Sequence, residues 1–238
     1  MGLTALTTSL LYLLIDSPSG NGREGIRVSA EQLSLPNGVV YSFQSAATLL
    51  GVIALCVFAA QTAQEYTYGT LRNLLLREPS RMKVLLGKYT AMSIFALVIV
   101  VTSAVVSIGL SFALAGGAKV STALWTSPDG KLAIFHALAN ALISAIGFGT
   151  IGMILGLLLR SPITAISIGV IWLLIVENLL SAVLNNADTW LPGMQLGIVA
   201  AGGSIDNSYQ RAMGVAGIYI VIGSVVAAVL FKSRDVAN

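Results

Sequence analysis

The chain has few charged residues and almost none of the side chains that build metal or redox sites. Charged residues make up 10% of its 238 residues, while 56% are hydrophobic. A soluble domain carries about 25% charged residues, so this composition excludes an ordinary soluble protein and predicts that most of the chain lies in lipid. Cys56 is the only cysteine and His136 the only histidine. The sequence therefore allows no internal disulfide, and no metal site built from several cysteines or histidines is expected.

Two further absences remove other classes of function. The net charge is only +3, and the basic residues fall at predicted helix ends rather than along an exposed face, so no nucleic-acid partner is expected. A phosphate-binding loop requires G-x-x-x-x-G-K-[ST]. Here Gly87-Lys88 is followed by Tyr89, and Met82 occupies the position of the first glycine. We therefore expect no cofactor and no catalytic residue on this chain, and any ATP hydrolysis would belong to a partner.

Long apolar runs predict an all-α polytopic membrane protein, with a single transmembrane domain over residues 1–238. A membrane helix needs about 20 mostly apolar residues. Five stretches meet this requirement, at residues 41–63, 89–115, 132–159, 163–183 and 213–231. Residues 3–15 are fewer but uniformly apolar and are predicted as a sixth span. Residues 194–201 are too few to cross and predict a re-entrant or interfacial segment before the last span.

The charged residues separate into two groups when six spans alternate across a bilayer. One side collects eight basic and three acidic residues, and the other five basic and six acidic residues. Basic residues beside membrane spans remain on the cytoplasmic side. The first side is therefore predicted to be the cytoplasm, and both termini should lie there.

Five basic residues of the first group fall between the first two long apolar runs, within residues 64–92. They are Arg72, Arg77, Arg81, Lys83 and Lys88. Leu71, Leu74 and Leu75 in the same segment are spaced i, i+3, i+4 and predict one apolar face of a helix, with Arg72 and Arg77 off that face.

A helix break follows this apolar face. Pro79 disfavours helix at Glu78, and Ser80 can cap the helix that becomes the next span. The segment therefore predicts a short amphipathic cytoplasmic helix, a break and then a membrane helix. The residues alone favour equally an ordinary basic loop that touches lipid headgroups.

The same segment resembles the signature of the ABC-2 family of ABC-transporter permeases. That signature runs roughly E-x3-G-T-L-R-x-L-L-x3-P, followed by S-R and L-G-K. The matching positions are Glu65, Gly69, Thr70, Leu71, Arg72, Leu74, Leu75, Pro79, Ser80, Arg81, Leu86, Gly87 and Lys88. Two features depart from the family: Glu78 stands where Arg or Leu is frequent, and Met1 leads almost directly into apolar sequence where a basic amphipathic helix is usual.

The resemblance implies the membrane-spanning permease subunit of an ATP-driven exporter in a bacterial or archaeal plasma membrane. Such a subunit, embedded in membrane lipid, pairs with a second permease chain, as a homodimer or heterodimer, and with two copies of an ATP-binding subunit. The family's loop docks on the ATPase. The implied coupling interface consists of Glu65, Gly69, Thr70, Leu71, Arg72, Leu74, Leu75, Arg77, Pro79, Ser80, Arg81 and Lys88.

Polar residues inside the predicted spans are candidates for a translocation path, namely His136, Asn140, Ser144, Glu177 and Asn178. An ionisable group at such a position costs roughly 2.5–3.5 kcal/mol on insertion scales. Glu177 either lines a path or is a structural carboxyl paired with a neighbouring helix or a buried backbone group. The structural role is favoured, because the resemblance places a glutamate here whatever the cargo.

His136, Asn140, Ser144 and Gly147 follow near-helical spacing and form one polar, small-residue stripe. They could line a path, but helix packing is the favoured interpretation, because small and polar residues commonly join membrane helices. The pair Gly152 and Gly156 also predicts close packing.

Two other classes of protein remain as alternatives. A rhomboid-like intramembrane serine protease needs a positioned Ser–His pair and an oxyanion hole. The expected G-x-S-G motif is absent, and the nearest string, at residues 108–112, lacks the second glycine. A self-contained channel is the other alternative, and it would not co-purify with an ATPase.

Overall fold

The computed structural model describes residues 2–15, 28–204 and 207–233, without the side chains of Arg72 and Ser233. All regular elements in these ranges are helical. The long helices are α3 (Gly38–Thr67), α5 (Arg81–Ala115), α6 (Pro128–Leu159) and α10 (Tyr209–Ser233). The shorter ones are α1 (Gly2–Leu13), α2 (Ala30–Leu33), α4 (Thr70–Arg77), α7 (Pro162–Ile171), α8 (Glu177–Val183) and α9 (Pro192–Ala201). A π-helical turn, Trp172–Val176, joins α7 to α8.

Five helices in the described part of the chain are long and apolar enough to cross a membrane. They are α3, α5, α6, the continuous unit Pro162–Val183 and α10. The prediction of an all-helical, polytopic membrane protein is thereby confirmed. α1 has 12 residues and rises about 18 Å, which is less than the roughly 30 Å of a hydrocarbon core. The predicted sixth span is thus a shorter apolar helix, which packs beside the second half of α5 through Thr8 and Ser107, whose hydroxyl oxygens lie 3.0 Å apart.

Local sequence explains where the helices begin and end. The Ser127 hydroxyl accepts a hydrogen bond from the Gly130 backbone N–H at 3.1 Å and caps α6. Proline occupies the first position of α6, α7 and α9, where its missing N–H has no cost. Arg160 separates α6 from α7 in a left-handed conformation, with φ of 52°.

α3 and α6 run in the same direction and form the centre of the bundle. A Cβ added to Gly152 would collide with the backbone of Leu55, and one added to Gly156 would lie 2.7 Å from the Ala59 carbonyl oxygen. The predicted close packing at these two glycines is therefore confirmed. Large buried side chains such as Phe58 and Phe148 fill the space around this pair.

The bundle has two chemically distinct ends. The end of α3, the start of α5, the end of α6 and the end of α10 lie together, because Thr67 contacts Arg160 and Arg81 contacts Lys232. We call this the basic end, and α4 lies there. α6 and α10 both begin towards the opposite, or distal, end, where Tyr209, the first residue of α10, contacts Asn140 in the first half of α6.

Candidate functional site

An ion pair closes the base of the segment that carries α4. The Lys88 Nζ lies 2.7 Å from Glu65 Oε1, and both side chains are largely shielded, with exposed fractions of 14% and 20%. Lys88 also donates to the Gln61 carbonyl oxygen at 2.5 Å. Glu65 lies near the end of α3 and Lys88 in the second turn of α5. The two outermost residues of the predicted coupling segment are thus joined directly, and the chain between them forms a closed loop.

α4 packs one edge against the bundle and presents the other outward. Leu71 is buried, and Leu75 is half-buried against the same core. Leu74 is 39% exposed and Leu76 is 78% exposed. The predicted apolar face is therefore narrower than expected, because Leu74 is turned partly away from the core. Arg77 is exposed, whereas the side chain of Arg72 lies outside the described structure.

Gly69 starts α4 in a conformation that suits glycine. Its φ is +66°, in the left-handed region where a Cβ costs roughly 1–2 kcal/mol. No atom of the described residues lies within 4 Å of the position that a Cβ would take, so backbone conformation rather than space favours glycine here. Thr70 then begins the helix.

The break between α4 and α5 is where Pro79 predicts it, but the predicted cap by the Ser80 side chain does not form. Ser80 occupies the position before α5, yet its side chain makes no capping hydrogen bond. Instead the Glu78 carboxylate accepts a hydrogen bond from the Ser80 backbone N–H at 3.2 Å. It also lies 3.7 Å from the Lys83 Nζ. The departure from the family pattern at Glu78 therefore has a local role at the start of α5.

Further contacts at the basic end connect α4's neighbours to the rest of the bundle. The Arg160 guanidinium lies 5.4 Å from the centre of the Tyr66 ring, a cation–π arrangement. The Thr67 hydroxyl donates to the Arg160 carbonyl oxygen at 3.2 Å. Arg81 donates to the Lys232 carbonyl oxygen at 3.4 Å. These contacts hold α3, α5, α6 and α10 in register around the segment.

Glu177 holds the start of α9. Its carboxylate accepts hydrogen bonds from the Gly193 backbone N–H at 3.0 Å and the Met194 backbone N–H at 2.9 Å. The Trp172 indole donates a further bond at 3.0 Å. Glu177 is 1% exposed. The first N–H groups of a helix have no partner within the helix, and a negative charge there is favourable, so this carboxylate satisfies an end that would otherwise be buried unpaired.

The backbone on both sides of this contact is adapted to it. A Cβ at Gly193 would lie 2.6 Å from Glu177 Oε2 and would collide with the Leu173 side chain. The π-helical turn Trp172–Val176 directly precedes Glu177, and turns of this kind redirect the side chains around them. These contacts match the structural alternative for Glu177, a carboxyl that is paired with buried backbone groups.

His136 and Asn140 line a polar cavity of about 400 Å³, which we call the distal cavity because it lies at the distal end. Its walls also include Asn37, Gln44, Gly202 and Tyr209. Ser144 lies one turn further along α6 and is fully buried without contributing to the lining. Gly147 packs directly against Leu196 of α9. The predicted stripe is thus divided: its first half lines a cavity and its second half packs against helices.

Glu177 and Asn178 line a second, smaller cavity of about 200 Å³, which lies further along α3 than the first. Its other walls are mostly apolar and include Val52, Phe148 and Leu173. Asn178 donates to the Leu174 carbonyl oxygen at 3.0 Å. The structure therefore separates the five predicted path residues into two cavities and one packing position.

Several residues of these sites were not predicted from sequence. Gln44 and Tyr209 lie on different helices from His136, and no spacing pattern connects them to it. Gly193 contacts Glu177 only because α9 folds back into the bundle, whereas Trp172 reaches Glu177 across the π-helical turn that precedes it. The adjacent Pro192 is the one signal in the sequence, since proline marks a helix start.

The fold defines an all-helical polytopic membrane protein with two polar centres, one at each end of the bundle. The profile of a protein family described as "Protein of unknown function (DUF2705)" matches residues 25–237, and the chain belongs to this family. It is also similar to "Uncharacterized protein YhcI" of Bacillus subtilis (strain 168), with 23% identity over 206 residues. That similarity covers 80% of this chain and 66% of the relative, so the chain spans just under two thirds of the relative's length.

Proposed function

We propose that this protein is the membrane-spanning permease subunit of an ATP-driven exporter of the ABC-2 type, and that residues 65–88 couple it to a separate ATP-binding subunit. The observation that supports this most is the Glu65–Lys88 ion pair. It joins the first and last charged residues of the segment that resembles the family signature. An ordinary basic loop that only touches headgroups has no need of such a closure.

The surface at and just before α4 suits a docking role. Leu71 and Leu75 attach the helix to the bundle, while Leu76 of α4 and Tyr68, at the end of α3, project outward with exposed fractions of 78% and 73%. Exposed apolar side chains of this kind are the usual anchors for a groove on a partner. Because α4 is attached at both its base and its inner face, a displacement of α4 would move α3 and α5 with it.

In this proposal the basic end faces the cytoplasm, because basic residues next to membrane spans stay on that side. The C-terminal end of α10 is then cytoplasmic. α1 is the first of the membrane-embedded helices and packs beside the second half of α5. α9 is a re-entrant helix that is reached from the distal end and held by Glu177. The membrane is the plasma membrane of a bacterium or an archaeon.

The working assembly contains two ATP-binding subunits and a second permease chain, either a copy of this one or a related chain. Closure of the ATP-binding subunits acts on α4, and the bundle changes between two rigid arrangements. This chain supplies no catalytic group to ATP hydrolysis. The cargo passes in the direction of export.

Substitution of an exposed apolar residue on α4 tests the proposal. Leu76→Asp should abolish co-purification with the ATP-binding subunit and the stimulation of its ATPase activity, because a carboxylate would enter an apolar groove. Membrane insertion should be unchanged, since Leu76 is exposed. Leu124→Asp is the matched control, because Leu124 is 47% exposed and lies between α5 and α6 at the distal end. Normal co-purification of Leu76→Asp together with full transport would contradict the coupling role.

A further inference from the structure

The distal cavity contains hydrogen-bonding groups that the described protein residues leave free. Asn140 is 6% exposed, and its Oδ1 accepts a hydrogen bond from the Tyr209 hydroxyl at 2.6 Å. No other described residue bonds to the Asn140 amide nitrogen, to the Gln44 amide or to the His136 ring. Asn140 is buried, Gln44 is partly exposed and His136 is exposed, so a molecule that enters the cavity would find free donors and acceptors on all three.

Gly202 keeps the cavity open between the two amides. It ends α9 in a left-handed conformation, with φ of +81°. A Cβ at this position would lie 3.2 Å from the Gln44 Nε2 and 3.7 Å from the Asn140 Nδ2. The absence of a side chain at Gly202 therefore leaves both amide groups accessible to a bound molecule.

The lining that the described residues form is polar but carries no fixed charge. Among the residues that the structure describes, the cavity walls contain no Asp, Glu, Lys or Arg side chain. A charged ligand would lose hydration here without gaining an opposite charge, which is costly. Amide, imidazole and phenol groups instead offer donors and acceptors side by side. A hydroxyl both donates and accepts, so it matches such a lining.

We propose that the distal cavity binds a neutral, hydroxyl-rich group, namely a sugar or polyol, either free or as the headgroup of a lipid. The cavity volume of about 400 Å³ lies within the roughly 300–1,000 Å³ that is usual for small-molecule sites. Gln44 and Asn140 hold the hydroxyls from two sides, and His136 lies exposed at the rim. This binding does not depend on the transport function proposed above.

Thermal unfolding of the full chain in phosphatidylglycerol nanodiscs tests the site, with maltose as the free probe. A ligand that binds only the folded state raises the unfolding temperature in a saturable way. Gln44→Leu and His136→Phe should each raise the half-saturating maltose concentration about tenfold, because each removes hydrogen bonds to the probe. Ser45→Ala is the matched control. Ser45 neighbours Gln44 but is exposed and does not line the cavity, so this change should leave the maltose response unchanged.

Nanodiscs that contain diglucosyl diacylglycerol distinguish a lipid headgroup from a free sugar. A response to maltose supports a free ligand, and a response to the glycolipid alone supports a headgroup. Glucuronate is the charged control. A stronger response to glucuronate than to maltose would overturn the assignment to a neutral ligand. The absence of any response to both neutral probes would overturn the site itself. So would a maltose response in Gln44→Leu and His136→Phe that equals that of the unchanged protein.

Discussion

At the scale of single residues, Glu177 shows how a membrane protein can keep a carboxylate in an apolar segment. Three N–H donors surround its two oxygens, and hydrogen bonds to a charged group contribute about 1.5–3 kcal/mol each. That sum exceeds the roughly 2.5–3.5 kcal/mol that an acidic residue costs at the centre of a span. The carboxylate thus holds the start of α9 in place, and its removal should lower the stability of the protein.

Glu177→Gln should lower the thermal stability of the purified protein by about 1–3 kcal/mol. One oxygen becomes an NH₂ group, which then faces a backbone N–H of Gly193 or Met194 instead of accepting from it. Thermal unfolding in detergent measures the change. Asn178→Ala is the control, because Asn178 is exposed and bonds only to its own helix, and it should change stability by less than about 0.5 kcal/mol. Unchanged stability of Glu177→Gln would show that the carboxylate does not hold α9.

The contact between Glu177 and α9 can also be tested by replacing a glycine of α9 with alanine at two positions, Gly193 and Gly197. Gly193→Ala should destabilise the protein by about 1–3 kcal/mol, as overpacking does, because the new Cβ meets Glu177 and Leu173. Gly197→Ala, one turn later, places its Cβ at an ordinary 3.5 Å from Thr48. It should be neutral or should stabilise α9 by up to about 1 kcal/mol. Equal effects at the two positions would contradict the close approach at Gly193.

At the scale of elements, the Glu65–Lys88 ion pair holds together the two ends of the segment between α3 and α5. α4 is only eight residues long, and a helix of that length is marginal by itself. Its persistence depends on the burial of Leu71 and on the Glu65–Lys88 pair. Loss of the pair should loosen α4 before it affects the long helices.

Lys88→Met should destabilise α4 by about 1–2 kcal/mol, because the shielded Glu65 carboxylate and the Gln61 carbonyl oxygen lose their partner. The exposed pair Lys83–Glu78 supplies the control. Its side chains are 72% and 43% exposed, so Lys83→Met should cost less than about 1 kcal/mol. Limited proteolysis within residues 65–88 measures the local opening. Adding Glu65→Gln to Lys88→Met should recover part of the loss, and a further loss in the double variant would argue against a direct pair.

Some of these features can be predicted from the sequence and others cannot, for physical reasons. Span length and apolarity are local properties, so the five long helices and the break at Pro79 could be predicted. The absence of a cap by the Ser80 hydroxyl could not be predicted, because it depends on how the side chains are placed at this turn. Glu177 stands out in sequence, but its partner Gly193 is defined only by the fold.

At the scale of the whole molecule, the two ends of the bundle have different chemistry. The basic end carries six described basic side chains: Arg77, Arg81, Lys83, Lys88, Arg160 and Lys232. The distal end carries a cavity whose described lining is neutral. This difference between the two ends agrees with a protein that meets a partner at one end and a neutral small molecule at the other.

The distal cavity could not be predicted from sequence. The spacing of His136, Asn140 and Ser144 indicates only one face of α6, whereas the cavity also needs residues from α3, the end of α9 and α10.

The most direct measurement of the central proposal is the side of the membrane on which α4 lies. Single cysteines at Leu76 and Leu124, in a Cys56→Ala background, report the two ends, since both positions are exposed. An impermeant maleimide applied to intact cells should label Leu124→Cys at once. Leu76→Cys should react only after the membrane is opened. Labelling of Leu76→Cys in intact cells would place α4 outside, where no ATP-binding subunit could reach it, and would contradict the proposed function.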